Sequence, residues 1–193
     1  MRTLIASVAL ATLAASPLAA QGLPGMTGID HVGFTVPDVA AATEFFTETM
    51  GCAAFYPLGP FSGGESTWMQ DHLNVDPKAE IPTMRLVRCG NGANFEIFEY
   101  TAPEQADMPP RNSDVGGHHI AFYTTDMDGA VAYLRDKGLV VLGDPTTMTD
   151  GPSAGETWVY FLAPWGMQLE LVSYPDGKAY ESDFDTRLWD PRS

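Results

Sequence analysis

From His31 the chain alternates. Val32, Phe34 and Val36 take every second position, with His31, Gly33 and Thr35 between them. Period-two alternation marks a strand that buries one face. A helical spacing follows over Ala40 to Met50, with Phe45 and Phe46 on its apolar side. Asp38 stands where an N-cap is expected and Gly51 where a left-handed C-terminal cap is expected. The same succession returns 88 positions later, from His31 to His119: Ile120, Phe122 and Thr124 oppose His119, Ala121 and Tyr123. A helical pattern over Gly129 to Lys137 comes next, with Asp126 before it and Gly138 behind it.

The later blocks also match, now 74 positions apart, from Glu96 to Glu170. Leu86 and Val87, a turn at Gly92, and Phe95 to Tyr100 lie against Tyr160 and Phe161, a turn at Gly166, and Leu169 to Tyr174. Each half therefore reads as strand, helix and three strands, a duplicated supersecondary unit. The fold class is α+β, with βαβββ modules at 27–107 and 115–176 and a tail at 177–193. The first module is longer because of an insertion within Tyr56 to Thr83, which includes a short helix over Ser66 to Leu73. A long loop of this kind either shapes a ligand site or lies passively on the surface.

The N-terminus has a different character. Arg2 precedes an alanine-rich apolar run from Leu4 to Ala15, and small residues follow to Ala20. This is the pattern of a secretory signal peptide at 1–20, too short to remain as a membrane span. The mature protein is expected to be soluble and exported, in the periplasm or secreted. The full chain's formal charge of −15 over 193 residues, slightly more negative once Arg2 is lost, disfavours nucleic acid and anionic membranes as partners. A small molecule is the expected ligand. The two cysteines, Cys52 and Cys89, form either a disulfide in an oxidising compartment or a pair of buried thiols.

The chemistry sits on the polar faces of the strands. His31 and His119 share those faces with small neighbours, and Glu96 and Glu170 occupy equivalent positions in otherwise apolar strands. A carboxylate in an apolar strand is costly unless its charge is compensated. Two such residues, each repeated with a histidine, ask for one shared cause. A divalent cation held by His31, Glu96, His119 and Glu170 supplies it. His118 points to the opposite face from His119.

Asp30-His31-Val32, Phe95-Glu96-Ile97, His118-His119-Ile120 and Leu169-Glu170-Leu171 resemble the metal-ligand motifs of the vicinal oxygen chelate superfamily. That group includes glyoxalase I, methylmalonyl-CoA epimerase, extradiol dioxygenases and bleomycin-resistance proteins. The resemblance covers roughly 28–175. It implies tandem βαβββ modules whose curved mixed sheets face a central cavity holding Zn, Ni, Co, Mn or Fe. It places Cys52 beside Cys89, hence a disulfide, and it admits both a chain that closes its own cavity and a homodimer sharing two.

By the same resemblance the protein is a lyase or isomerase acting through a metal-held enediolate, with Glu170 or Glu96 as the base that moves the proton. Phe98, Tyr123 and Val172 would line the pocket, and Arg85 is a weaker candidate for a substrate carboxylate. An extradiol-type iron dioxygenase is a second reading, against which Glu96 counts as a surplus ligand. A non-catalytic small-molecule binding protein is the third, although such members generally lack the full ligand set.

Overall fold

The computed structural model describes residues 23–193; the expected signal peptide lies outside the described residues. The first half runs β1 (His31–Thr35), α1 (Val39–Glu44), β2 (Ala53–Leu58), β3 (Phe61–Ser62), α2 (Trp68–Leu73), β4 (Glu80–Arg88) and β5 (Asn94–Thr101). The second runs β6 (Ile120–Tyr123), α3 (Met127–Asp136), β7 (Val141–Thr147), β8 (Thr157–Leu162) and β9 (Gln168–Ser173). The sheets are ordered β1-β5-β4-β2, with β3 on β4, and β6-β9-β8-β7. In both, the first strand pairs in parallel with the last and stands at the sheet's edge. The two modules thus share one topology, as the repeat requires.

Local chemistry fixes the helices. The carboxylates of Asp38 and Asp126 accept from the backbone N–H groups of Ala41 and Gly129, which would otherwise lack partners. Gly51 and Gly138, just past the helices, adopt φ of +70° and +77°, where a side chain would be strained. After Glu44 the first helix widens into a π-helical turn, Phe45–Thr49, in which Phe45 and Phe46 are both buried. Its one-residue change of register leaves the apolar spacing nearly helical, so the sequence pattern reads straight through it.

One apolar core joins the modules. Phe34, Phe46, Phe95 and Ile97 from the first half meet Val131, Leu134, Phe161, Leu169 and Leu171 from the second. Trp165, at the β8–β9 turn, packs against Phe45 and Phe46 with centroids 5.5 and 5.9 Å apart, and Phe95 meets Phe122 edge-on at 6.0 Å. The strand residues among these lie on the helix-bearing faces of their sheets, and the others on the helices and the turn that cover those faces. The modules therefore meet through those faces.

The insertion is not a passive loop. Met69 of α2 is 1% exposed and packs with Ile81 and Met84, against Phe98 and Tyr100. Met84 and Phe98 are cross-strand partners, and Phe98 shares the Glu96 face. The insertion thus lies over part of the face that carries His31 and Glu96.

Cys52 and Cys89 form a disulfide that ties the residue before β2 to the residue after β4. Closing a loop with a sequence separation of 37 limits the unfolded chain. Its loss is expected to cost about 3 kcal/mol. Intact mass should show alkylation of both cysteines only after reduction, and reduction should lower the melting temperature; two freely alkylated thiols would contradict the assignment.

Candidate metal centre and its cleft

Each parallel pair of strands brings one histidine to one glutamate. Gly33 lies opposite Glu96 in the β1–β5 register, and His31 Nε2 lies 3.2 Å from Glu96 Oε2. A Cβ on Gly33 would stand 3.5 Å from the Phe98 ring and 3.9 Å from Glu96 Oε2, so the small residue keeps the space beside the carboxylate open. In the second module His119 immediately precedes β6, and its Nε2 lies 3.0 Å from Glu170 Oε2. His118 turns away, with Nδ1 at the Gly116 carbonyl.

The other ring nitrogens are also held. His31 Nδ1 is 2.7 Å from an Asp30 carboxylate oxygen, and His119 Nδ1 is 3.2 Å from Asn112 Oδ1. Both partners are acceptors, so each Nδ1 carries the proton, and in a neutral ring Nε2 presents its lone pair toward the glutamate. Two lone pairs about 3 Å apart repel unless a proton or a cation lies between them. Ligand atoms each about 2.1 Å from one ion and at right angles to each other would show about that separation. A histidine whose second nitrogen is fixed by an oxygen acceptor is also the common arrangement around a bound metal. The donor set fits a divalent cation.

The electrostatics of the pairs differ. The Asp30 hydrogen bond raises the His31 imidazole above its ordinary value, and the charges of Glu96 and Asp30 add to this against a smaller opposing effect of burial. Burial pushes the Glu170 carboxyl up, and nearby Glu156 adds to it, while His119 and Lys178 pull it back. Tyr160, whose ring meets His119 at 5.1 Å, is raised by burial and by the Glu170 charge. Asn112, the partner of His119, pulls the Tyr160 hydroxyl back down.

The four expected ligands do not gather around one cavity within the chain. Among the described residues no three His, Cys, Asp or Glu side chains form a group that could hold a metal ion. His31 stands with Glu96 and His119 with Glu170. The reason is the packing of the modules: joining them by their helix-bearing faces turns the two ligand faces away from each other. Arg85 is likewise elsewhere. It lies opposite Ile97, on the helix-side face, and donates to the Phe55 carbonyl, so it is not in a position to meet a substrate at either pair.

A cleft of about 1280 Å³ opens beside the second pair, lined by Glu170, Val172, Tyr123, Tyr174, Glu156 and Lys178. Asp30, just before β1, and Val32 within it contribute to its far side. The C-terminal tail closes it with Trp189 and Pro191. Arg192 holds that tail by donating to the Tyr174 carbonyl and to the carboxylates of Asp190 and Glu181. The tail therefore packs on its own chain. Sequence reasoning missed Asn112 and the Glu156–Lys178 pair, none of which belongs to a repeated block, and it saw Tyr160 only as a strand position matched to Leu86. Asp30 was visible beside His31, but its role depends on a rotamer.

Residues 30–161 match the model of the Glyoxalase/Bleomycin resistance protein/Dioxygenase superfamily. Over 172 residues, 89% of this chain and 92% of the relative, the sequence is 48% identical to a 2-epi-5-epi-valiolone epimerase from an Actinomyces species. A glyoxylase/bleomycin resistance protein/dioxygenase domain from Frankia sp. EAN1pec superposes with a TM-score of 0.55 at 13% identity, over 78% of this chain and 99% of that one. A glyoxalase family protein from Enterococcus faecalis gives 0.52 at 18% identity, over 75% and 96%. At these identities the two structures share the fold.

The tail clasp has a testable pH dependence. Hydrogen bonds from Arg192 hold the Asp190 carboxyl at about 2, below its ordinary value of 3.8. A depressed carboxyl stabilises the fold above its unfolded value, and that contribution is lost as pH falls through the folded one. The difference in Trp189 fluorescence between wild type and Asp190→Asn should be full near neutral pH and vanish between about 4 and about 2. A difference independent of pH would show that this ion pair does not hold the tail.

Proposed function

This chain is an enzyme of the vicinal oxygen chelate superfamily, of epimerase or isomerase type, and we propose that it inverts a hydroxyl-bearing carbon next to a carbonyl in a polyhydroxylated cyclic ketone. The observation that carries this reading is the matched pair of histidine–glutamate contacts, in a chain nearly half identical to an epimerase that acts on 2-epi-5-epi-valiolone. The same relative favours this reading over an oxygenase or a non-catalytic binding protein.

A C–H beside a carbonyl is acidic enough to be removed by a positioned carboxylate. Glu170 or Glu96 takes the proton from one face, leaving an enediolate, and a proton returned to the opposite face completes the inversion with no net redox change. A divalent ion held by His31, Glu96, His119 and Glu170 would supply Lewis-acid stabilisation of the two adjacent substrate oxygens. Asp30 and Asn112 hold the imidazoles in orientation, and Phe98, Tyr123 and Val172 shape the surroundings of the reacting centre.

We further propose that the four ligands come from two copies of the chain. The free edges of the sheets, β1 and β6, each lie beside the strand that carries the matching glutamate. Edge strands left unpaired are natural meeting lines for a second chain. Setting β1 of one copy beside β6 of the other would align Glu96, His31, His119 and Glu170 on four neighbouring strands, twice in a two-fold dimer. Export of the mature chain from Gln21 is part of the proposal; it accords with the disulfide, and the N-terminal sequence of the secreted protein would test it.

Elemental analysis of protein purified without chelator should find about one equivalent of Zn, Ni, Co, Mn or Fe per chain. It should be lost in Glu96→Ala and His119→Ala, and incubation with substrate in D₂O should place deuterium at the inverted carbon. Mixing and refolding a His31→Ala/Glu96→Ala chain with a His119→Ala/Glu170→Ala chain should restore about a quarter of the wild-type activity, since half the dimers would regain one of two sites. No restoration would exclude shared sites. Full activity without metal would remove the metal from the mechanism.

A further inference from the structure

One charged pair in the cleft wall has no part in the chemistry above. Lys178 Nζ lies 2.8 Å from Glu156 Oε2, and the two side chains are only 16% and 18% exposed. Removing both charges from water is costly, and a single ion pair seldom repays that cost in stability. Part of the reason is structural. Glu156 immediately precedes β8 and Lys178 begins the tail, which is also joined to this loop by backbone bonds from Ala179 to Ala154 and from Tyr180 to Pro152. Those backbone bonds already hold the segment, so the pair is not needed for that alone.

The pair keeps hydrogen-bonding capacity in reserve. An ammonium has three protons and a carboxylate about four acceptor sites, and their mutual bond uses one of each. Among the described residues Lys178 Nζ has no other hydrogen-bond acceptor. It lies 4.5 Å above the Tyr174 ring, which meets Tyr123 at 5.0 Å. Both charged residues line the same cleft as Glu170, and both act on the Glu170 carboxyl through space. Trp189, 64% exposed, adds an aromatic surface at the rim.

The combined charge selects the ligand class. A lysine already neutralised by a glutamate, beside a further carboxylate in a chain of net charge −15, makes a poor anion site. What it offers is a strong donor next to a strong acceptor. Neighbouring hydroxyls on a ring present the complementary set, because each can both donate and accept. We propose that Glu156 and Lys178 form a polyol-recognition element that fixes adjacent hydroxyls of the ring substrate, with Tyr123 and Trp189 against its apolar edge. This rests on the functional reading above and adds to it the residues that determine specificity.

The test compares 2-epi-5-epi-valiolone with 2-hydroxycyclohexanone, which keeps the reacting carbon and its two oxygens but lacks the outer hydroxyls. Lys178→Met and Glu156→Gln should raise KM for 2-epi-5-epi-valiolone roughly 10- to 100-fold, the value of a charge-assisted hydrogen bond or two, with a much smaller change in kcat. The wild-type preference for the polyol over the simple ketone should fall by the same factor. A parallel loss on both substrates, or no change in preference, would mean that the pair only staples the tail, and would overturn the proposal. If wild type turns over neither compound, the functional reading fails, and calorimetric titration with 2-epi-5-epi-valiolone decides the inference by itself. Binding to wild type that is lost in Lys178→Met sustains it; no binding to wild type overturns it.

Discussion

The constraint on which this structure depends is the union of two modules through their helix-bearing faces. Once Phe45, Phe46 and Phe95 pack against Trp165 and Phe122, the apolar side of each sheet is committed. The histidine and glutamate pairs then lie on the outward faces. Burial of large aromatic side chains is the strongest single contribution available to a chain of this size. The polar pairs occupy what it leaves exposed, and the histidine–glutamate contacts follow from the core as much as from their own chemistry.

The same packing explains why the ligands appear as pairs. Parallel pairing of the first and last strands of a module is local and brings His31 to Glu96, and His119 to Glu170. Bringing the pairs together requires two sheet edges to meet, which is a separate event between modules. A single chain makes the first kind of contact and, among the described residues, not the second. The free edges of β1 and β6 are what the proposed dimer would use, and they would otherwise be a standing liability for unwanted association.

Much of this was legible in the sequence. Period-two alternation assigned His31, Glu96, His119 and Glu170 to their faces, and the repeat located both modules and their caps. Two features lay beyond that logic. Alternation says which face a residue occupies but not which faces meet, so four ligands in one cavity and two ligands on each of two faces look identical along the chain. The partners that orient the imidazoles were hidden for a different reason. Asn112 lies in the connection between modules, where no periodicity operates, and only the path of that connection brings it to His119. Arg85, the weaker candidate, shows the converse case, a charged side chain whose strand register places it on the face opposite to that of Glu96.

Duplication left two similar pairs, but their environments have diverged in a way that bears on their roles. Glu170 has 11% of its side chain exposed and Glu96 has 23%. His31 is held by a carboxylate and His119 by a neutral amide. A carboxylate partner makes an imidazole a stronger donor to a cation, which suits His31 to holding a charge in place. Burial raises the Glu170 carboxyl, and a base works best when its proton affinity approaches that of its surroundings at working pH. The less solvated glutamate is also the one that opens on the cleft and its polar wall. In the proposed mechanism Glu170 would therefore be the better placed of the two carboxylates to carry the proton, and the His31 pair the better suited to hold an ion.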